Sequence, residues 1–411
     1  MAVVRPFRGL RPGKEYAEKV AAPPYDVLDS DEAREMAGGN PWSILHVTKP
    51  EIDLDPSIGL YDDRVYARGA ENLRALVNGG ILRRDESPRF YFYRQVMGAH
   101  SQTGLVACAS VDDYENDVIR KHELTRKDKE IDRVRHIEAD DAQVGPVFLT
   151  YPDEPAVSAV ADRVCSSGPE YDFVASDGVR HTLWIVEEEA DISSLVEAFS
   201  GIPALFVADG HHRSAAATRI ARKRRESDPG HTGQEEYNFF LAVVFPKSHM
   251  RILPYNRVVS DLGGLSTGEF LGLVGRSFRV EETPEERAPD IRQFSMYTSG
   301  RWFLLEALPG SFPADDPVRS LDVSILQENL LGPILGIDDP RTSGRIDFIG
   351  GIRGTAELVR LVDSGRHAVA FSLHATTMDQ LLAVAQTGSV MPPKSTWFEP
   401  KLRSGLVIHQ L

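Results

Sequence analysis
The residues best placed to do chemistry fall in one short stretch, Val207-Ala208-Asp209-Gly210-His211-His212-Arg213-Ser214-Ala215-Ala216-Ala217. The apolar run from Pro203 to Ala208 reads as a buried strand that stops at an acid. Gly210 turns the chain, and Ala215 through Arg225 has helix composition. One carboxylate, one glycine, two imidazoles and one guanidinium are therefore expected on a strand-to-helix turn. Free N–H groups and the positive dipole end of a helix favour an anion there, and phosphate is the usual biological one. Gly210 would let backbone approach the ligand, and Arg213 would pair with its oxygens. Asp209 beside a phosphate is repelled unless Mg²⁺ lies between them or the acid serves as a base. That combination points to phosphoryl chemistry.

Other chemistries fit less well. Adjacent histidines on a helix point about 100° apart, so His211 and His212 cannot easily grip one zinc ion together. His122-Glu123-Leu124-Thr125 offers a base, a carboxylate and a hydroxyl within four residues, but lacks the second histidine of a His-Glu-x-x-His helix. No Gly-x-x-x-x-Gly-Lys-Ser/Thr loop is present, nor a Gly-x-Gly-x-x-Gly after a strand, so the common nucleotide folds are unsupported. Asp26 is presented from a stiff loop after Pro23-Pro24, where it could equally cap the helix that begins near Ser30. Lys394 and Lys401 lie on a closing segment whose three prolines rule out helix.

The bulk properties bound the partners. The chain has 411 residues, 42% hydrophobic and 26% charged, which is globular and too long for one small domain. Its 46 basic and 61 acidic side chains leave a net charge of −15, which gives no general attraction to nucleic acid or anionic membrane. The basic run Arg219 to Arg225 is expected to be a solvated face. Cys108 and Cys165 have no metal-type spacing and read as reduced, buried thiols. The N-terminus has no apolar segment of the secretory kind, so cytoplasm is the expected compartment.

The elements that must position these residues read as irregular alternation. Tyr61 to Val77 reads as a helix ended by Gly79-Gly80, and Phe90 to Tyr93 with Leu105 to Ala109 as a hairpin. Glu154 to Cys165 reads as a helix, and Tyr171 to Ser176 with Arg180 to Val186 as strands about Asp177-Gly178. Asn238 to Pro246 reads as a buried strand with Ile252 to Val259 as its partner, and Val323 to Leu335 as a helix. The expectation is α+β, with mixed sheets in two or three lobes. The segments are 1–150, 151–262 carrying the turn, and 263–411 ending in the proline-rich lysine loop.

Five dispersed motifs together resemble the bacterial and archaeal family known as domain of unknown function 1015. They are Pro23-Pro24-Tyr25-Asp26-Val27, His122-Glu123-Leu124-Thr125, Ala208 to Arg213, Tyr255-Asn256-Arg257, and Met391-Pro392-Pro393-Lys394-Ser395-Thr396 through Pro400-Lys401. Two departures are minor: Ser214 where an aromatic is expected, and Trp397 where tyrosine is commoner. Asp209-Gly210-His211-His212-Arg213 is also similar to the motif of ParB-like nucleotide-binding domains, especially the free-serine kinases built on that fold.

That second resemblance implies a kinase using ATP or ADP with Mg²⁺ on a small hydroxyl metabolite, free L-serine first. Gly210, His211, His212 and Arg213 would hold the phosphates. Asp209 or Glu123, with His122 beside them, would take the hydroxyl proton or hold Mg²⁺. Lys394 and Arg257 would neutralise charge building during transfer. Asp26, Arg120, Lys121 and Lys401 are the candidates for holding the substrate. A ParB-like nucleotide switch and a metal-dependent hydrolase using His122, His211 and His212 are the competing readings. The partners implied are a nucleotide and a small molecule, with no nucleic acid or membrane, and the reading leaves room for a homodimer.

Overall fold
Phe90 to Tyr93 and Leu105 to Ala109 lie at the centre of a nine-stranded sheet. The computed structural model describes Met1–Leu411. It divides into two units: Met1–Met250 with Pro400–Leu411, and Arg251–Glu399. The strands of the first sheet are β1 (Val4–Arg5), β2 (Phe90–Met97), β3 (His100–Ser110), β4 (Ile119–Arg120), β5 (Val147–Tyr151), β6 (Tyr171–Val174), β7 (Arg180–Val186), β8 (Leu205–Asp209) and β9 (Phe239–Pro246). Their order is β4-β8-β5-β9-β3-β2-β7-β6, with β1 beside β3. The sheet is mixed: β8 runs parallel to β4 but antiparallel to β5, and β9 runs parallel to β5. Every residue of β5 and β9 is buried, as their nearly continuous apolar sequence requires of strands covered on both faces, and the Thr150 hydroxyl donates to the Phe245 carbonyl at 3.0 Å.

The five longest helices of this unit are α1 (Asp63–Asn78), α2 (Lys127–Asp140), α3 (Pro155–Cys165), α4 (Glu189–Gly201) and α5 (His211–Ser227). The α5 helix packs on α2, and α2 on α1. In the first contact, Ala216 and Ile220 of α5 are buried against Ile137 of α2. The charged run before His136 is only partly a solvated face. Asp132 and His136 are buried, Tyr66 donates to Asp132 at 2.9 Å, and the Arg133 guanidinium lies 3.6 Å from the Tyr25 ring centre. The basic face of α5 is ion-paired: Arg219, Arg222, Lys223 and Arg224 meet Glu130, Glu115, Glu138 and Asp141.

The second unit holds a six-stranded antiparallel sheet of β10 (Tyr255–Val259), β11 (Phe278–Thr283), β12 (Gln293–Thr298), β13 (Arg301–Ala307), β14 (Ile346–Gly350) and β15 (Val369–Leu373). Their order is β11-β13-β12-β15-β10-β14. The ends of this unit are paired. Ile252–Leu253 runs against Trp397–Phe398, and the Glu399 N–H donates to the Arg251 carbonyl at 3.2 Å.

The fold class is α+β with several separate sheets. Three details depart from the sequence reading. Residue 150 lies inside β5, and segments on both sides of it share one sheet, so the chain forms two units rather than lobes divided there. Ile252 to Val259 does not partner β9: its first part pairs with Trp397–Phe398 and β10 pairs with β14 and β15. The helix expected over Val323 to Leu335 is α-helical only over Asp322–Leu326 and continues as one wider turn to Leu331, where Gly332-Pro333 stops it.

Candidate functional site
The apolar run before Asp209 does form a strand, and Gly210 does start a helix. Gly210 takes φ +97°, a left-handed conformation that suits glycine, and has no side chain to cap α5. Any Cβ at that position would lie 3.1 Å from Arg213 Nε. The N–H groups of the first turn of α5 therefore gain no cap from the residue that precedes them. The Gly210 N–H itself donates to Asp209 Oδ1 at 2.9 Å.

Asp209 is the hub of the turn. Its Oδ2 lies 3.2 Å from Lys401 Nζ and 3.7 Å from Arg213 Nη2. Burial alone would raise the carboxyl, but Lys401 and Arg213 outweigh it and hold the group below the usual carboxylate range. Arg213 also donates to the Pro146 carbonyl, while its buried Nε has no hydrogen-bond partner. Two cations are thus anchored at one carboxylate beside a helix N-terminus.

The three histidines differ. His212 Nε2 accepts from the Arg126 N–H at 3.0 Å, so its ring turns toward the loop before α2. Asp26, which is exposed, acts on His212 electrostatically, but burial dominates and pushes that imidazole down. His211 is buried and stands edge-on to His122, ring centres 4.6 Å apart and planes at 90°. Burial pushes His122 down to about 4 and His211 well below the ordinary histidine range. Both are neutral at pH 7 and add no positive charge. Ligand-capable atoms of His122, Glu123 and His211 all lie within 4.8 Å of one another.

The other candidates separate into groups. The Arg120 guanidinium lies 5.9 Å from the Phe206 ring centre, and Lys121 is held by Asp117 at 3.0 Å. Arg257 and Lys394 come together in the second unit. Arg257 is buried, donates to the Tyr255 carbonyl and to the Lys394 carbonyl (3.0 Å), and burial pushes it down to about 10. The closing loop, continuous in sequence, is divided between the units: Lys394 belongs to the second and Lys401 to the first.

A neighbouring cavity of about 60 Å³, room for a handful of waters, is lined by Tyr25, Arg133, Asp140, Gln143, Arg213 and Ser404 among others. Burial raises Asp140 to about 8, against the opposing pull of Arg133 and Arg74. Apart from Tyr25 and Arg213, no local motif pointed to this cavity, because its lining is assembled from segments far apart in sequence.

The family model for a protein of unknown function, DUF1015, matches residues 4–324. The chain belongs to the DUF1015 family. Among solved structures it is similar to a free serine kinase in complex with AMP, at 12% identity and TM-score 0.37, covering 74% of this chain and 92% of that one. SbnI with C-terminal truncation from Staphylococcus aureus shows 14% identity, TM-score 0.37 and coverage of 74% and 86%. A conserved hypothetical protein from Pyrococcus furiosus shows 12% identity, TM-score 0.36 and coverage of 74% and 95%. No curated protein matches. Within this DUF1015 chain, no helix is long and apolar enough to cross a membrane.

Proposed function
We propose that the Asp209–Arg213 turn binds the phosphates of ATP or ADP and that the protein transfers a phosphoryl group to a small hydroxyl metabolite. The observation that carries this reading is the uncapped start of α5 at a left-handed glycine, flanked by Arg213 and Lys401, both tethered to Asp209. Backbone N–H groups of the first helical turn would take phosphate oxygens, and Arg213 and Lys401 would offset their charge. The choice of nucleotide, and of free L-serine as first acceptor, comes from the likeness of the Asp-Gly-His-His-Arg motif to free-serine kinases.

In transfer, the acceptor hydroxyl oxygen bonds to phosphorus and gives up its proton to water, while the bond from phosphorus to the bridging oxygen breaks and the charge stays on the departing ADP or AMP. Cations fixed beside the departing phosphate stabilise that charge. Asp209 is a poor proton acceptor because its carboxyl is held low, so its role in this reading is to fix Lys401 and Arg213. Mg²⁺ takes oxygen ligands, which the nucleotide's own phosphates and water would supply here.

The test is incubation with ATP or ADP, Mg²⁺ and a panel of hydroxy amino acids, followed by phosphorus NMR, beside calorimetry of nucleotide binding. Phosphorylated product from one acceptor is the expected result. Nucleotide binding with no product from any acceptor would favour a nucleotide switch. Absence of binding would sink the phosphate reading.

A further inference from the structure
The parallel pairing of β4 and β8 aligns Ile119 with Leu205 and Arg120 with Phe206. The chain beyond both strands therefore leaves the same edge of the sheet, the position where α/β sheets present ligand-binding groups. His122 follows the end of β4 by two residues and His211 follows the end of β8 by two. Their rings meet edge-to-face, and Glu123 brings a carboxylate to the same point.

We propose that His122, Glu123 and His211 form a binding site for one first-row divalent transition-metal ion. Three observations support this. The ligand-capable atoms of the three side chains lie within 4.8 Å of one another. His211 is 5% exposed, and its Nε2 is buried with no hydrogen-bond partner, which leaves a lone pair or N–H unsatisfied unless something else meets it. The third histidine of the region is already engaged, because His212 accepts from the Arg126 backbone.

Two imidazoles and one carboxylate suit zinc, cobalt, iron or manganese, whereas Mg²⁺ and Ca²⁺ take oxygen ligands. Metal–ligand bonds of roughly 2.0–2.2 Å require the three donors to draw together by a small side-chain adjustment. Three protein ligands leave a coordination position open for water or an oxygen of a bound anion. This site adjoins the Asp209–Lys401–Arg213 cluster but shares none of its side chains, and it goes beyond the phosphate reading.

The full-length protein, stripped with chelator, would be titrated with Co²⁺ in the absence of nucleotide, following its visible absorption bands and the heat of binding. The expected result is saturation at about one ion per chain, undisturbed by a large excess of Mg²⁺. His211→Ala and Glu123→Gln should each weaken Co²⁺ binding at least tenfold, while His374→Ala, in the second unit, should bind as the parent does. Circular dichroism checks that each variant is folded, and Glu123→Gln, which conserves volume, carries the test if His211→Ala is not. No saturable Co²⁺ binding by the parent, or parental affinity in folded Glu123→Gln, would overturn the proposal. Because no nucleotide is present, failure here leaves the phosphate reading untouched, and the reverse also holds.

Discussion

Lys401 Nζ stands 3.2 Å from Asp209 Oδ2 across 192 positions of sequence. Replacing the lysine with methionine keeps much of its length and removes its charge. Nucleotide affinity should fall roughly tenfold, the size of one lost charge-assisted contact. Calorimetry with ADP measures this.

The same pair predicts a pH dependence of stability. Asp209 is held below its unfolded-state value, so its ion pairing stabilises the fold above the ordinary carboxylate range, and that contribution is lost as pH falls toward the folded value. The difference in thermal midpoint between the parent and Lys401→Met should therefore be largest at pH 6–8 and shrink below about pH 4. A difference that grows on acidification would contradict the assignment.

Asp209→Asn should separate binding from turnover. It removes the anion that holds two cations, so ADP should bind at least as tightly as to the parent, while product formation falls by roughly 100-fold because Lys401 and Arg213 are no longer fixed. Parallel phosphorus NMR and calorimetry decide it.

Gly210→Ala should be costly in both respects. The substitution forces a side chain into φ +97° and places Cβ 3.1 Å from Arg213 Nε. Destabilisation of about 1–3 kcal/mol is expected from the backbone alone, with nucleotide binding weakened by displacement of Arg213. Urea unfolding and ADP titration of the folded fraction test the two parts.

Asp140 behaves in the opposite sense to Asp209. Burial raises its carboxyl to about 8, so between roughly pH 4 and 8 the folded state holds a proton that the unfolded state has released. Stability should decline with rising pH over that window, by up to about 1.4 kcal/mol per unit. Asp140→Asn should flatten the slope in urea-unfolding midpoints taken from pH 5 to 8.

The turn itself was legible because strand, glycine and helix signals are local. Phe206-Val207-Ala208 demanded burial, Gly210 broke the strand, and the alanines after Ser214 carried the helix. Lys401 reads from the sequence only as one of several cations for a substrate, since nothing near it points to Asp209. The sequence groups His122 with His211 and His212 only in the hydrolase reading; what brings His122 to His211 is β4 running parallel to β8, and β4 is only two residues long. Ile252 to Val259 pairs elsewhere than with β9 because an apolar β-rich run does not specify which sheet receives it. Arg257 and Lys394 enter the reading only through the resemblance; within the second unit the Arg257 guanidinium donates to the Lys394 carbonyl, a contact across 137 positions that no local pattern announces.

The paired ends of the second unit bear on how the chain folds. Residues 251–399 interrupt the first unit between β9 and Pro400, so joining Lys401 to Asp209 from the unfolded chain means closing a very long loop. The entropic penalty of closure rises with the logarithm of length, about 0.6 kcal/mol per doubling. Once Arg251 and Glu399 are hydrogen-bonded, the intervening residues no longer count as slack. Collapse of the inserted segment would thus deliver Pro400 and Lys401 to the point where the chain leaves the first unit, so that the effective loop closed by the Lys401–Asp209 contact is much shorter than the 192 positions of sequence.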